Sequence, residues 1–400
     1  MPPVVTGYRI RIRMTARAID EPHRTASPLE LLFDLTFVVA VAAVTAQYAH
    51  QITAGHALSA LVPFLQVFFA VWWAWMNFTW FASSYDIDDI AYRLLTMVQM
   101  AGVVVLAAGV PPTGADSDFR LITIGYLITR IALVAQWLRA AVEHPAGRRT
   151  ALRYAAGLTL LEAGWLLRLV LAETHTLPSP TGIASFLALA ALELAVPWWA
   201  ERAGHTTWHP HHIAERHGLF TLILFGESVL AVSNGVRAAL EGTEVGGSLI
   251  VIAASGLVLL FALWWLYFLL PAGQGLSDRR EISFLWGYGH YGVFAALAAL
   301  GAGLEVAVEQ TGHRLAASPL AICYSVALPT AVFVVLLRLI HTPLVTEHVM
   351  RPRAVLVGVA TVLLLPLAAS RFGVTAVVAA LAAVGVAMVV VTFPAVARHC

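Results

Sequence analysis

The chain has 400 residues, 60% of them apolar and 12% charged, where soluble domains carry roughly 25% charge. That balance excludes an ordinary soluble enzyme, and a net charge of +1 leaves no electrostatic footprint for nucleic acid. Two cysteines, Cys323 in an apolar run and Cys400 at the end, give no disulfide framework and point away from thiol chemistry.

Residues 1–27 hold five arginines (Arg9, Arg11, Arg13, Arg17, Arg24) and no apolar core of signal-peptide length. They read as an Arg-rich cytoplasmic arm able to touch anionic headgroups. Apolar runs near 20 residues, the length that crosses roughly 30 Å of hydrocarbon, then recur. They fall at about 28–50, 57–81, 91–110, 119–139, 150–171, 181–200, 217–239, 247–270, 282–304, 319–340, 353–370 and 374–396. The predicted fold is all-α, a polytopic transmembrane helix bundle of about 12 spans. It forms one domain over 28–396, with a short cytoplasmic tail at 397–400 and 6+6 halves as one arrangement open to it. Every cation other than histidine is Arg, and orientation follows from their distribution. With the N-terminus inside, 18 lie in cytoplasmic segments, 4 outside (Arg120, Arg237, Arg314, Arg371) and 2 within spans (Arg130, Arg168). Both termini are therefore expected in the cytoplasm.

Ser27-Pro28-Leu29-Glu30 is a helix start, with Ser as N-cap, Pro at the first helical position and Glu reaching back to the cap. Asp34, one turn further, falls inside an apolar run. Two carboxylates at i,i+4 repel unless one is protonated or a cation intervenes, and carboxylates within a span are costly and functional by default. The second span packs eight aromatics into the fourteen residues Phe68 to Phe81, more than an interfacial belt requires. Trp72, Trp75 and Trp80 are candidates to line a cavity through their π faces, and packing is the alternative. Tyr85-Asp86-Ile87-Asp88-Asp89 follows, with Arg93 as a nearby counter-charge.

Farther on, His209-Pro210-His211-His212 leads through Glu215-Arg216-His217-Gly218 to Gly226-Glu227-Ser228. The spacing fits no standard metal signature, and no cofactor motif is read. Glu227 lies about 18 Å along the helix from Glu215, beside Gly226 for close helix approach and Ser228 as a hydrogen-bond donor. Arg130, Glu162, Arg168, Glu193 and His290 interrupt other apolar helices, and some of them must neutralise one another. Glu30, Asp34, Asp86, Asp88, Asp89, Glu193, Glu215 and His290 fall in the cytoplasmic half under this topology, which suggests one polar cavity opening to the cytosol.

Three separated stretches, Glu30-Leu-Leu-Phe-Asp34-Leu-Thr-Phe-Val, Tyr85 to Asp89 with Arg93, and Glu215-Arg216-His217-Gly218 leading to Gly226-Glu227-Ser228, resemble the bacterial low temperature requirement protein A family over about 28–395. The resemblance implies a multi-pass protein of the bacterial cytoplasmic membrane and supplies no established chemistry. Ser83-Ser84 stand where many relatives carry Asn-Arg, so a cation beside the aspartates is missing. Three functions stay open. The foremost is proton- or ion-coupled transport, with Asp34 and Glu227 as proton carriers and Arg130 as gate or counter-ion. The second is an intramembrane enzyme on a lipid or isoprenoid. There the Asp86-Ile87-Asp88-Asp89 pattern, similar to that of class II terpene cyclases, would use Asp88 as acid and Asp86 and Asp89 as its tuners. The third is a membrane stress-tolerance factor without turnover. The partners expected are the lipid bilayer and a proton, small ion or lipophilic small molecule.

Overall fold

The computed structural model describes residues 11–19, 21, 24–115, 118–174, 179–242, 246–269, 272–344 and 351–396. Arg9 and Cys400 lie outside them. Among the described residues the chain is predominantly helical, without strands. In chain order the helices are α1 (Pro28–Thr53), α2 (Ala57–Tyr85), α3 (Ile90–Ala108), α4 (Val110–Ala115), α5 (Arg120–Glu143), α6 (Arg148–Glu173) and α7 (Ser179–Glu201). They continue with α8 (Pro210–Gly242), α9 (Gly247–Tyr267), α10 (Ala272–Asp278), α11 (Ser283–Glu309), α12 (Pro319–His341), α13 (Pro352–Leu364) and α14 (Ala369–Val396).

Helix starts follow local chemistry. The Ser27 N–H donates to Glu30 Oε2 at 2.7 Å and the Glu30 N–H donates to Ser27 Oγ at 3.4 Å, the reciprocal capping box that the sequence indicates. Asp89 caps α3 by accepting from the Tyr92 N–H, and Ser318 caps α12 by accepting from the Ala321 N–H ahead of Pro319.

Among the described residues, 11 helical stretches are long and apolar enough to cross a membrane. The last, Pro352–Thr392, is 41 residues long and covers the final two spans expected from sequence. It breaks at Gly373, whose φ of 82° takes the chain out of the helix. A Cβ on Gly358 of α13 would lie 3.1 Å from Met388 Cγ of α14. These two positions are equally far from Gly373 in sequence, so the chain folds back there as an antiparallel pair. The turn falls at the Ser370-Arg371-Phe372-Gly373 break between the two spans expected from sequence.

The chain divides into two compact units. Unit 1 comprises Met1–Ala40 and Phe69–Ile213. In it α3 packs on α5, α5 on α6, and α6 on α7. The α3–α5 contact is backbone to backbone, since a Cβ on Gly125 would meet Gly102 O at 2.6 Å. Gln99 Nε2 donates to Gln136 Oε1 across it at 2.9 Å. Unit 2 comprises Val41–Phe68 and Ala214–Cys400, with α11 packed on α12, α9 on α14, and α12 on α13 and α14.

Candidate functional site

At the start of α1 the capping carboxylate also takes part in a charge cluster. Glu30 Oε1 lies 3.0 Å from His212 Nε2 and 3.5 Å from Arg24 Nη2, all three side chains buried. Arg24 Nη2 is also 3.7 Å from Asp86 Oδ2, which Arg17 Nη1 approaches at 3.9 Å. Arg24 thus stands between two carboxyls brought from α1 and from the end of α2, and Asp86 Oδ1 has no hydrogen-bond partner among the described residues. Burial pushes the Asp86 carboxyl up to about 6, the charge of Glu30 adds to the rise, and Arg24 and Arg17 offset part of it. The cation that the Ser83-Ser84 sequence lacks therefore comes from the N-terminal segment. The small serines fit this docking: Ser84 O accepts from the Arg17 N–H at 3.0 Å, and Ser83 Oγ accepts from the His209 N–H at 3.0 Å.

The three aspartates of the Asp86-Ile87-Asp88-Asp89 stretch face three different partners. Asp88 has a φ of 47°, and its carboxylate is 49% exposed and gripped by Arg93 Nε and Nη2, each at 2.7 Å. Asp89 is buried, capping α3 while accepting from Arg139 at 2.9 and 2.5 Å and from the Ile12 N–H at 2.9 Å. Burial pushes the Asp89 carboxyl up, but the hydrogen bonds from Arg139, Ile12 and Tyr92 outweigh it and hold the group below its ordinary value. An acid flanked by two tuning carboxyls is not what this geometry forms. Neutralising Asp88 as Asp88→Asn is expected to change stability by no more than about 0.5 kcal/mol, since the pair is exposed and Asn tolerates the left-handed backbone. A thermal melt in detergent checks this.

The N-terminal segment runs along the same end of unit 1. Met14 N–H donates to Glu143 Oε2 at 2.6 Å, Arg11 Nη2 meets Glu143 Oε1 at 2.6 Å, and Arg13 Nε donates to Glu143 O at 2.8 Å. Arg139 Nη2 donates back to Ile12 O at 2.8 Å. Of the arginines assigned from sequence to headgroups, Arg11, Arg17 and Arg24 are here turned to the protein's own carboxylates and Arg13 to the Glu143 backbone carbonyl, although Arg11 stays largely exposed.

The aromatic stretch of α2 is packed core. Trp72 lies against Phe69 and Trp73, and Trp80 against Trp208 at 5.3 Å. Tyr85 lies against Phe81 and Trp137, with its hydroxyl 3.1 Å from His144 Nδ1. Trp75 makes a polar contact as well. Its indole N–H donates to Asp34 Oδ1 at 2.7 Å, so the buried Asp34 is held one turn below Glu30.

Deeper in unit 1, Arg130 of α5 pairs with Glu193 of α7 at 2.9 Å, both almost fully buried. In unit 2, Glu215 is half-buried and Arg216 fully buried on α8, with Glu227 buried farther along the same helix. A Cβ on Gly226 would meet nothing within 4 Å, which corrects its reading as a point of close helix approach. That role belongs to Gly301 of α11, where an added Cβ would lie 3.0 Å from Ser228 Oγ, itself donating to Leu297 O at 3.3 Å. His290 forms a buried group with His217 and Tyr267. Its Nδ1 lies 2.8 Å from Trp286 O and so carries the hydrogen, leaving Nε2 to accept from the Tyr267 hydroxyl at 3.0 Å. The Tyr267 ring faces that of His341 at 6.2 Å. Tyr267 and His341 escape sequence reading because each ends an apolar helix, where such residues read as interfacial. Asp34 and Glu227 belong to different units.

Residues 25–393 match the family described as Bacterial low temperature requirement A protein (LtrA), and the chain belongs to that family. It is a multi-pass bacterial membrane protein whose apolar helices contact the lipid bilayer. An uncharacterized protein of Rhizobium meliloti (strain 1021) is 27% identical over 283 residues, 66% of this chain and 65% of that protein. No solved structure matches the chain.

Proposed function

We propose that the chain is a proton-coupled membrane transporter in which Glu30 and Asp86 exchange the proton at the start of α1. The supporting observation is the buried Arg24 guanidinium shared by two buried carboxyls, with Asp86 Oδ1 lacking a hydrogen-bond partner among the described residues. Two carboxylates sharing one cation repel each other, and taking up a proton relieves the repulsion. Arg17 covers the pair, is itself partly exposed, and is ion-paired to Glu21. It gives the site a route to water. Asp34 on Trp75 and the Arg130–Glu193 pair place further titratable groups deeper in the same unit, the layered arrangement of proton relays.

The test is acid-driven proton flux into vesicles of phosphatidylethanolamine and phosphatidylglycerol that hold a trapped pH dye. Asp86→Asn and Glu30→Gln are expected to slow flux by roughly tenfold or more, and Gln keeps the carbonyl that the Ser27 N–H needs. Wild-type flux no greater than that of protein-free vesicles, or full flux in both variants, would overturn the reading.

A further inference from the structure

The interior of unit 1 holds a second group of charges that the exchange site does not use. Glu162 of α6 is 5% exposed, and neither carboxyl oxygen has a hydrogen-bond partner among the described residues. Arg130 is 2% exposed. Its Nη2 donates to Glu193 Oε2 and to the Tyr126 hydroxyl, while Nε and Nη1 lack acceptors among the described residues. Glu193, 1% exposed, is fully engaged. Besides Arg130 it accepts from Trp73 Nε1 at 2.8 Å, Trp165 Nε1 at 3.1 Å and the Tyr126 hydroxyl at 3.2 Å. Glu162 lies within electrostatic reach of both Arg130 and Glu193.

These groups sit about 15 to 21 Å along their helices, in the middle turns. One cation there serves two carboxyl groups, in a medium where an unpaired charge costs several kcal/mol. Glu193 already takes the cation and three further donors. An ionised Glu162 would be a second negative charge with no donor of its own, whereas a neutral carboxylic acid carries no such cost. Among the described residues, the separate Nε and Nη1 donors of Arg130 are open to Glu162 once it ionises.

We propose that Glu162 is a proton-binding site inside the membrane and that Arg130 is its switch. With the proton bound, Arg130 pairs with Glu193 alone. When the proton leaves the Glu162 carboxyl, two carboxylates compete for one guanidinium, and Arg130 turns an open N–H donor to Glu162. The groups that act on Glu162 are Arg130 and Tyr126 from α5 and Glu193 from α7. On α6 itself, Arg168 is engaged elsewhere, donating to Gly182 O at 3.2 Å and lying 5.6 Å from the Phe186 ring centre. The inference rests on the proton-coupled reading for its role in transport, and it names the ion and the place of coupling.

The experiment compares reconstituted wild type with Glu162→Gln, Glu162→Asp, Glu193→Gln and Asp86→Asn by carboxyl infrared absorption and by melting temperature. Glu162→Gln is expected to remove a protonated-carboxyl band that Glu193→Gln and Asp86→Asn retain. It should melt with the wild type, because a neutral amide replaces a neutral acid. Glu162→Asp should keep the band at a displaced frequency, and Glu193→Gln should lower the melting temperature. A band that persists in Glu162→Gln overturns the proposal, as does a Glu162→Gln protein that melts as low as Glu193→Gln, the outcome for a structural ion pair. Undiminished flux in Asp86→Asn with the Glu162 band intact would refute the exchange site and leave this assignment standing. The opposite pattern would refute this assignment alone.

Discussion

Arg130→Met is expected to be the most damaging single change in unit 1, lowering stability by about 3 to 5 kcal/mol, the range for removing one partner of a buried ion pair. Methionine fills much of the volume, so the loss is electrostatic. It strands Glu193, which is 1% exposed, with only the neutral donors of Trp73, Trp165 and Tyr126. Melting temperature and the fraction of protein recovered monodisperse in detergent measure the effect. The double variant Arg130→Met with Glu193→Gln is expected to regain a substantial part of the loss, because it removes the stranded charge along with its partner. Equal stability of the single and double variants would mean that the pair is not coupled, as a double-mutant cycle shows directly.

The second large effect depends on pH. In the folded protein burial and the neighbouring Glu30 raise the Asp86 carboxyl from 3.8 to about 6. The folded state therefore binds this proton more tightly than the unfolded chain does. The stabilisation is fully present below about pH 4 and is lost as pH rises through 6, an effect on the order of 3 kcal/mol. Asp86→Asn cannot ionise and does not lose it. Melts from pH 4 to pH 8 should show the variant gaining on the wild type by that amount, with the change centred near pH 6. Parallel curves would mean that Asp86 titrates alike in both states. Glu30, Arg24, Arg17 and Asp88 are the charged groups that set this balance.

The contrast between what was legible in the sequence and what was not has a physical basis. Solvent class, helical content and the capping box at Ser27 and Glu30 depend on composition and on contacts within one turn, so they can be read locally. Glu30 and Asp86 could both be nominated because a carboxyl in or beside an apolar helix is conspicuous. Their shared partner could not, since Arg24 lies in a segment whose arginines suit headgroups equally well. Arg130 faced a choice between Glu162 and Glu193 that depends on the rotation of α5, α6 and α7 about their axes, which apolar helices do not encode as a clear stripe. The aromatic run of α2 has the composition both of a ligand wall and of a packed core. Only the contacts of Trp72, Trp75 and Trp80 separate the two, and they place Trp75 on Asp34 and the others among neighbouring rings. Asp88, central to the enzyme reading, has its carboxylate on Arg93 at the surface.

The claim that most needs testing is that the carboxyl pair at the start of α1 takes up and releases a proton. Potentiometric difference titration of purified wild type against Asp86→Asn measures this without any assumption about the transported solute. The expected result is one additional proton bound by the wild type, with a midpoint near pH 6. Superimposable titration curves for the two proteins between pH 4 and pH 8 would refute it.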